Sequence, residues 1–196
     1  DVVTNSYRPG ALDALGFGPD ELCAAHPGLV YVTLSCYGST GPWATRRGWE
    51  QHAQAATGIS HAQSGLMLES PAKLEGSPRG DRPEPIPEAF SDFTTGFLAA
   101  YGAIEALRRR ENEGGSWHVD VSLCRTAMWL RDLGGDLDPD AAPGVDPRDS
   151  MIELDSQWGP LRIPGPGVEM SLTPPHWDRP PTFLGTAEAS WLTGGR

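Results

Sequence analysis

A predicted helix followed by two glycines and a short strand is the feature that most constrains the fold of this chain. From residue 93 to residue 110, bulky apolar residues recur every three or four positions, which predicts a helix with one face against a core. These residues are Phe97, Leu98, Tyr101, Ile104 and Leu107. Positive charge near the predicted end at Arg110 and the break at Gly114-Gly115 favour termination there. The alternating residues from Trp117 to Leu123 then predict a strand.

The composition limits the classes of partner. The chain has 196 residues, of which 38% are hydrophobic, enough for one core with an appendage. Its formal net charge of −11 argues against nucleic acid, whose phosphates attract the opposite sign. No apolar run has membrane-spanning length, no signal peptide is recognisable, and the three cysteines lack CxxC spacing. We therefore expect a cytoplasmic protein with no nucleic-acid partner, no membrane contact and no metal site.

A single carboxylate, Asp92, lies where the long helix is predicted to begin. An acid at this place is ordinarily a helix cap, worth about 1 kcal/mol, and Ser91 could cap the helix equally well. A carboxylate can also act as a nucleophile in covalent catalysis. The local pattern leaves both roles open.

The start of the chain contains a second motif. Two valines end a predicted strand, and the turn Tyr7-Arg8-Pro9-Gly10 follows, then a Leu-rich stretch that includes Leu15. The run from His26 to Tyr31 leads into a second, buried strand. An arginine beside an aromatic residue offers charge for a phosphate and a flat face for adenine.

A third motif extends from Ser35 to Gly58. Gly38 lies in a glycine-containing loop, where backbone could approach a ligand, although such a loop is also an ordinary turn. Four residues then precede a predicted helix: Arg47, Gly48, Trp49 and Glu50. Arg47 could be a solvated surface charge, and Glu50 could be a first-turn acid favoured by the helix dipole.

Together the three motifs resemble those of the family III CoA-transferases, the CaiB/BaiF-like group that also contains the α-methylacyl-CoA racemases. The resemblance implies an α/β fold, a Rossmann-like parallel sheet with helices that forms an incomplete large domain, plus an extended C-terminal segment. It divides the chain into a partial large-domain core (1–133), a linker (134–150) and a closing segment that packs back on the large domain (151–196). The leading βαβ units and the smaller domain of the family have no counterpart here, so we expect a partial chain. Family members form interlocked homodimers, and the long linkers are compatible with that arrangement.

The resemblance also implies an activity and a set of site residues. Asp92 matches the catalytic aspartate of the family, and Glu50 matches an acid that lines the active site. The residues expected to contact coenzyme A are Tyr7, Arg8, Leu15, Gly38, Arg47, Gly48 and Trp49. The implied reaction moves coenzyme A from an acyl-CoA thioester to a free carboxylic acid through an aspartyl-CoA thioester on Asp92, with acyl-CoA as substrate and no tightly bound cofactor.

Two alternatives stay open. The racemases move a proton beside the thioester carbonyl with a histidine at the position of Trp49, and tryptophan cannot take a proton. His52 lies three residues further on and would face the site only if the helix were rotated or shifted. The second alternative is a catalytically inactive fragment that binds coenzyme A, because part of the family's pocket comes from segments that are missing here.

Overall fold

The computed structural model describes residues 1–62, 83, 85–86, 89–133, 146–177, 179–188 and 190. The chain divides into two units, residues 1–135 and residues 136–196. Most of the predicted linker (134–150) lies outside the described residues.

Three parallel strands form the sheet of the first unit. They are β1 (Val2–Asn5), β2 (Val30–Ser35) and β3 (Trp117–Ser122), in the spatial order β1-β2-β3. Val2 pairs with Val30, and Ser35 pairs with Ser122, so the carboxyl ends of the strands lie at one edge of the sheet. The predicted parallel α/β layer is confirmed.

The helices whose bounds lie within the described residues of the first unit are α1 (Pro19–Ala25), α2 (Glu50–Ala56), α3 (Phe90–Glu113) and α4 (Leu123–Leu133), with a 3-10 turn at Asp13–Leu15. α1 begins with a proline, whose missing N–H would have no partner in the first turn anyway. α3 ends at Glu113, three residues later than predicted. The next residue, Gly114, has a φ of 72° and donates its N–H to the carbonyl of Arg110. α4 follows β3 without an intervening loop.

The face of α3 that packs on the sheet differs from the predicted one. Phe97, Tyr101 and Ile104 are 68%, 70% and 67% exposed, so the prediction that they face a core is wrong. The core side consists mainly of alanines at the same spacing, and Ala106 is buried there against Val30 and Val32. Leu107, another residue of the predicted stripe, does pack against this core. Small side chains let the helix approach the sheet closely, and a pattern based on bulky apolar residues selects the opposite face.

Gly102 marks the closest approach of α3 to the sheet. A Cβ atom at this position would lie 2.7 Å from Cγ1 of Val119 in β3. Valine is stiff at χ1, so Val119 cannot turn aside without cost.

The second unit contains an antiparallel hairpin of β4 (Met151–Ser156) and β5 (Gly159–Pro164). Both strands lie within the predicted closing segment (151–196). The rings of Trp158 and Phe183 pack edge to face, with centroids 4.5 Å apart, and tie part of the following segment to the hairpin.

No helix among the described residues has the length and hydropathy needed to cross a membrane. The same residues contain no group of three or more His, Cys, Asp or Glu side chains arranged to hold a metal ion.

The close approach at Gly102 predicts opposite effects of one substitution at two glycines of α3. Gly102→Gln should lower the free energy of unfolding by about 1–3 kcal/mol, because the new side chain must displace Val119. Gly96→Gln, where a Cβ meets no atom within 4 Å, should raise it by about 0.5–1 kcal/mol through helix propensity. Urea unfolding followed by circular dichroism measures both values. Equal effects at the two positions would contradict the close packing of α3 on β3.

Candidate active site

The side chain of Glu50 joins the start of α2 to the start of α3. Glu50 is only 2% exposed. Its Oε1 accepts hydrogen bonds from the N–H of Ser91 (3.2 Å) and from Ser91 Oγ (2.8 Å), and its Oε2 accepts one from the N–H of Asp92 (3.0 Å). Glu50 is therefore much more than a first-turn acid that favours its own helix.

These bonds show that the side chain that caps α3 comes from another helix, α2. The residue before its first turn is Ala89, which has no side-chain acceptor and adopts a left-handed backbone with φ 49°. The free N–H groups of a first helical turn need acceptors, and Glu50 provides them together with a negative charge at the positive helix end. Neither candidate from the sequence caps the helix, since Ser91 donates its hydroxyl hydrogen to Glu50 and the Asp92 side chain makes no cap bond.

The Asp92 carboxylate lies exposed at this same helix end. Within the described residues it accepts no hydrogen bond and forms no ion pair. Partial burial, and then the nearby negative charge of Glu50, raise the pKa of Asp92 above its ordinary value. The structure thus places two predicted site residues together and gives them different roles, a buried cap and an exposed carboxylate.

Sequence reasoning missed a third residue of this network. Gln54 is fully buried, and its Nε2 donates to Glu50 Oε1 over 2.8 Å. The signal that could have found it is spacing, because residues four apart on a helix share a face. A polar residue four positions after a predicted site acid, in the same predicted helix, would have pointed to Gln54.

The position of Glu50 depends on Gly48. A Cβ atom on Gly48 would lie 2.5 Å from Cys36 Sγ and 2.9 Å from a ring carbon of Tyr37, so only glycine fits between the end of β2 and the start of α2.

The Cys36 thiol beside Gly48 is not set up to react. Burial, and next the adjacent Cys124, raise the pKa of the Cys36 thiol to about 12, so this thiol stays protonated at neutral pH. Cys36 and Cys124 therefore contribute packing to the site.

Trp49, the other predicted residue beside Glu50, is 60% exposed. Its ring packs edge to face against that of His52, with centroids 4.5 Å apart, and His52 is itself exposed. Arg47 is exposed as well. His52, the other proton carrier that the sequence analysis considered, thus packs edge to face against an exposed tryptophan.

The remaining predicted residues lie in two other places. Tyr7, Arg8 and Leu15 are exposed in the segment after β1, and the Tyr7 N–H donates to Asn5 Oδ1 over 2.9 Å. Gly38 follows β2, and its N–H is taken up by Ser35 Oγ at 3.0 Å. No hydrogen bond or ion pair among the described residues joins either group to Asp92.

A cavity of about 440 Å³ opens beside Gly38, at the carboxyl ends of β2 and β3. Crevices at this edge of a parallel sheet are the usual place for ligands in open α/β folds. Glu50 and Asp92 are not among its described lining residues. Those that line it include Gly38, Thr40, Leu98, Ser122, Arg125 and Trp129.

Comparison with known proteins places these features in a family. The family model for CoA-transferase family III matches residues 1–134. The chain is 38% identical over 136 residues to acetyl-coenzyme A transferase nodX of Hypoxylon pulicicidum, covering 66% of this chain and 21% of that protein. It is 32% identical over 132 residues to the succinyl-CoA–L-malate CoA-transferase beta subunit of Chloroflexus aurantiacus, covering 67% of this chain and 30% of that protein.

Solved structures give the same result. A crystal structure of Rv3272 from Mycobacterium tuberculosis superposes with a TM-score of 0.56 at 30% identity, over 68% of this chain and 33% of that one. A CaiB/BaiF family protein from Brucella suis superposes with a TM-score of 0.54 at 26% identity, over 82% of this chain and 41% of that one. The chain spans between about a fifth and two fifths of the length of these four relatives. The family model and the shared fold together establish that this chain belongs to CoA-transferase family III.

Proposed function

We propose that this chain carries the catalytic carboxylate of an acyl-CoA:carboxylate CoA-transferase, and that this carboxylate is Asp92. The observation that carries the proposal is the division of roles between two acids at one helix end. Glu50 satisfies the N–H groups of α3, which leaves the Asp92 carboxylate exposed and without a hydrogen-bond partner among the described residues. A carboxylate that is not needed as a cap is available to react.

The proposed reaction passes through two covalent states of Asp92. A carboxylate oxygen attacks the thioester carbonyl of an acyl-CoA and the C–S bond breaks, which gives an acyl-aspartyl anhydride and a CoA thiolate. The thiolate attacks the aspartyl carbonyl of the anhydride, releases the first acid as its carboxylate and leaves an aspartyl-CoA thioester. An acceptor carboxylate then reverses the sequence, departs as the new acyl-CoA and regenerates Asp92. Each attack by one anion releases another, so charge and atoms balance at every step.

We assign the binding of coenzyme A to two exposed groups of residues. Tyr7 and Arg8 supply a ring face for adenine and a guanidinium for phosphate, and Leu15 adds an apolar contact nearby. The segment of Arg47, Gly48 and Trp49 leads directly into Glu50, so a thioester held there lies beside the acid that caps the Asp92 helix. Gly38 contributes backbone at the edge of the sheet.

The names of the relatives indicate a class of substrate. They describe a succinyl-CoA–L-malate CoA-transferase and an acetyl-CoA:oxalate CoA-transferase. By analogy we propose an acyl-CoA donor and a free carboxylic acid acceptor for this chain, acting in the cytoplasm.

We also propose that the protein functions as a homodimer. The support in this chain is the row of exposed apolar side chains along α3, formed by Phe93, Phe97, Tyr101 and Ile104. A contiguous apolar surface of this kind is ordinarily covered in the working assembly.

Intact-mass analysis after incubation with several acyl-CoA thioesters tests the role of Asp92. We expect a covalent adduct that peptide mapping localises to Asp92 and that Asp92→Asn abolishes. Asp20→Asn, which alters an exposed acid in the first turn of α1, is the matched control and should keep the adduct. An adduct on another residue, or one that survives in Asp92→Asn, would refute the assignment, and binding of coenzyme A without any adduct would favour an inactive binding module.

The pH dependence of adduct formation tests the coupling of the two acids. Asp92 must be ionised to attack, and the negative charge of Glu50 contributes to its raised pKa. Glu50→Gln removes that charge, so the pKa of Asp92 should fall and the acid limb of the rate profile should move to lower pH. Glu21→Gln, in the first turn of α1, should leave the profile unchanged. A limb that stays in place or moves to higher pH in folded Glu50→Gln would contradict the coupling.

Sedimentation velocity tests the proposed dimer. Phe97→Glu places a charge in the middle of the exposed apolar row and should weaken dimerisation at least about tenfold. Asn112→Glu, at an exposed polar position of the same helix, should sediment like the wild type. A wild-type chain that stays monomeric at all concentrations would count against the proposal.

A further inference from the structure

A buried glutamine completes the hydrogen-bond network at the start of α3. Gln54 is 0% exposed and lies one turn after Glu50 in α2. Its Nε2 donates to Glu50 Oε1 (2.8 Å) and to the carbonyl oxygen of Ile86 (3.0 Å), and its Oε1 accepts from the N–H of Ile86 (2.7 Å). Both hydrogens and the oxygen of the amide are therefore in use.

The two bonds to Ile86 determine which way this amide points. Ile86 presents a donor and an acceptor to the same side chain, so the amide oxygen must face the N–H and the NH₂ group must face the carbonyl. The second hydrogen of the NH₂ group is then directed at Glu50. The backbone before α3 thus imposes the one orientation of Gln54 in which Glu50 receives a donor.

We propose that Gln54 is a positioning residue for Asp92, which joins the Glu50 cap to the chain segment that leads into α3. The inference rests on the proposed role of Asp92 as the nucleophile. Gln54 contacts the chain before the turn at Ala89, through Ile86, and reaches the chain after that turn through Glu50. The Gln54 side chain thus links the segment at Ile86, which precedes α3, to the Glu50 carboxylate that caps the helix.

Loss of Gln54 would act on Asp92 through Glu50. Glu50 would keep three of its four donors, those of Ser91 and Asp92, and lose the only one that comes from its own helix. The partly buried N–H and carbonyl of Ile86 would lose their partners as well, which disfavours the present path of that segment. The carboxylate of Glu50 would then move relative to the first turn of α3, and its negative charge would have less effect on Asp92.

Few other titratable groups near Asp92 can interfere with this effect. Among the described residues, Cys36 at the end of β2 is electrostatically coupled to Asp92, and Cys124 of α4 is coupled to Cys36. Burial raises the pKa of Cys36 to about 12 and raises that of Cys124, so both thiols stay uncharged in an acid-to-neutral titration. Of the groups in the described part of the chain, Glu50 is therefore the one whose charge a change in the Asp92 titration reports in that range.

The test follows the carboxyl resonance of Asp92 by NMR in the 196-residue chain with ¹³C-labelled aspartate, assigned with Asp92→Asn. Gln54→Met keeps the length of the side chain and removes its three bonds, so the midpoint of the Asp92 titration should move to lower pH. Gln54→Glu places a second carboxylate beside Glu50, so the midpoint should move to higher pH. Gln51→Met, at an exposed position of the same helix, is the matched control and should titrate like the wild type.

Opposite shifts separate positioning from a purely structural role, which would lower stability in both variants and leave the Asp92 titration unmoved. In a Glu50→Gln background, Gln54→Met should cause no additional shift, because its effect passes through Glu50. Midpoints that stay in place, move in the same direction, or add to the effect of Glu50→Gln would overturn the inference. Should Gln54→Met not fold, Gln54→Glu decides alone, and an unchanged or lower midpoint overturns it.

The covalent assay gives a second readout. In Gln54→Met, adduct formation at saturating acyl-CoA and neutral pH should slow about tenfold, while the half-saturating acyl-CoA concentration stays unchanged. A wild-type chain that forms no adduct would refute the proposed function, yet the NMR titration would still test the link between Gln54, Glu50 and Asp92. The two failures are therefore distinguishable.

Discussion

The buried carboxylate of Glu50 is the interaction on which the arrangement around Asp92 depends. α3 begins after a residue without a capping side chain, so the N–H group of Ser91 needs an acceptor from elsewhere, whereas that of Asp92 also reaches the carbonyl of Ala89. Glu50 accepts from both across 41 and 42 residues of sequence. Without Glu50 the buried N–H and hydroxyl of Ser91 would lose their acceptor, at a cost of about 1–3 kcal/mol. The place of Asp92 in space is thus set by another helix.

Close packing at two glycines brings that other helix into position. Gly48 lets the chain pass against Cys36 and Tyr37 before α2 begins, and Gly102 lets α3 lie close to Val119 of β3. Both contacts are too short for any side chain at the glycine. The sheet therefore fixes α2 and α3 independently, and the Glu50 carboxylate spans the remaining gap between them.

The sequence predicted the parallel α/β layer, because strand runs and glycine breaks are local signals. Asp92 and Glu50 were predicted as site residues by the resemblance to the family, since the local pattern of each fits an ordinary helix cap or first-turn acid equally well. The sequence did not predict the packed face of α3, since bulky apolar residues and small residues both recur at helical spacing and hydrophobicity favours the bulky set. It also assigned the cap to Asp92 or Ser91. The true acceptor, Glu50, is distant in sequence. Gln54 bonds to the backbone of Ile86, and backbone groups are the same for every residue type, so no sequence pattern marks that contact.

The backbone at Ala89, just before α3, is strained. Among the described residues Ala89 is the one non-glycine with a positive φ, and this conformation costs an L-residue roughly 1–2 kcal/mol. Alanine has no local reason to adopt it, so contacts on both sides must hold the joint bent against its own preference. The strained residue accepts the N–H of Asp92 on its carbonyl, so relief of the strain at Ala89 would shift the backbone from which the Asp92 side chain extends.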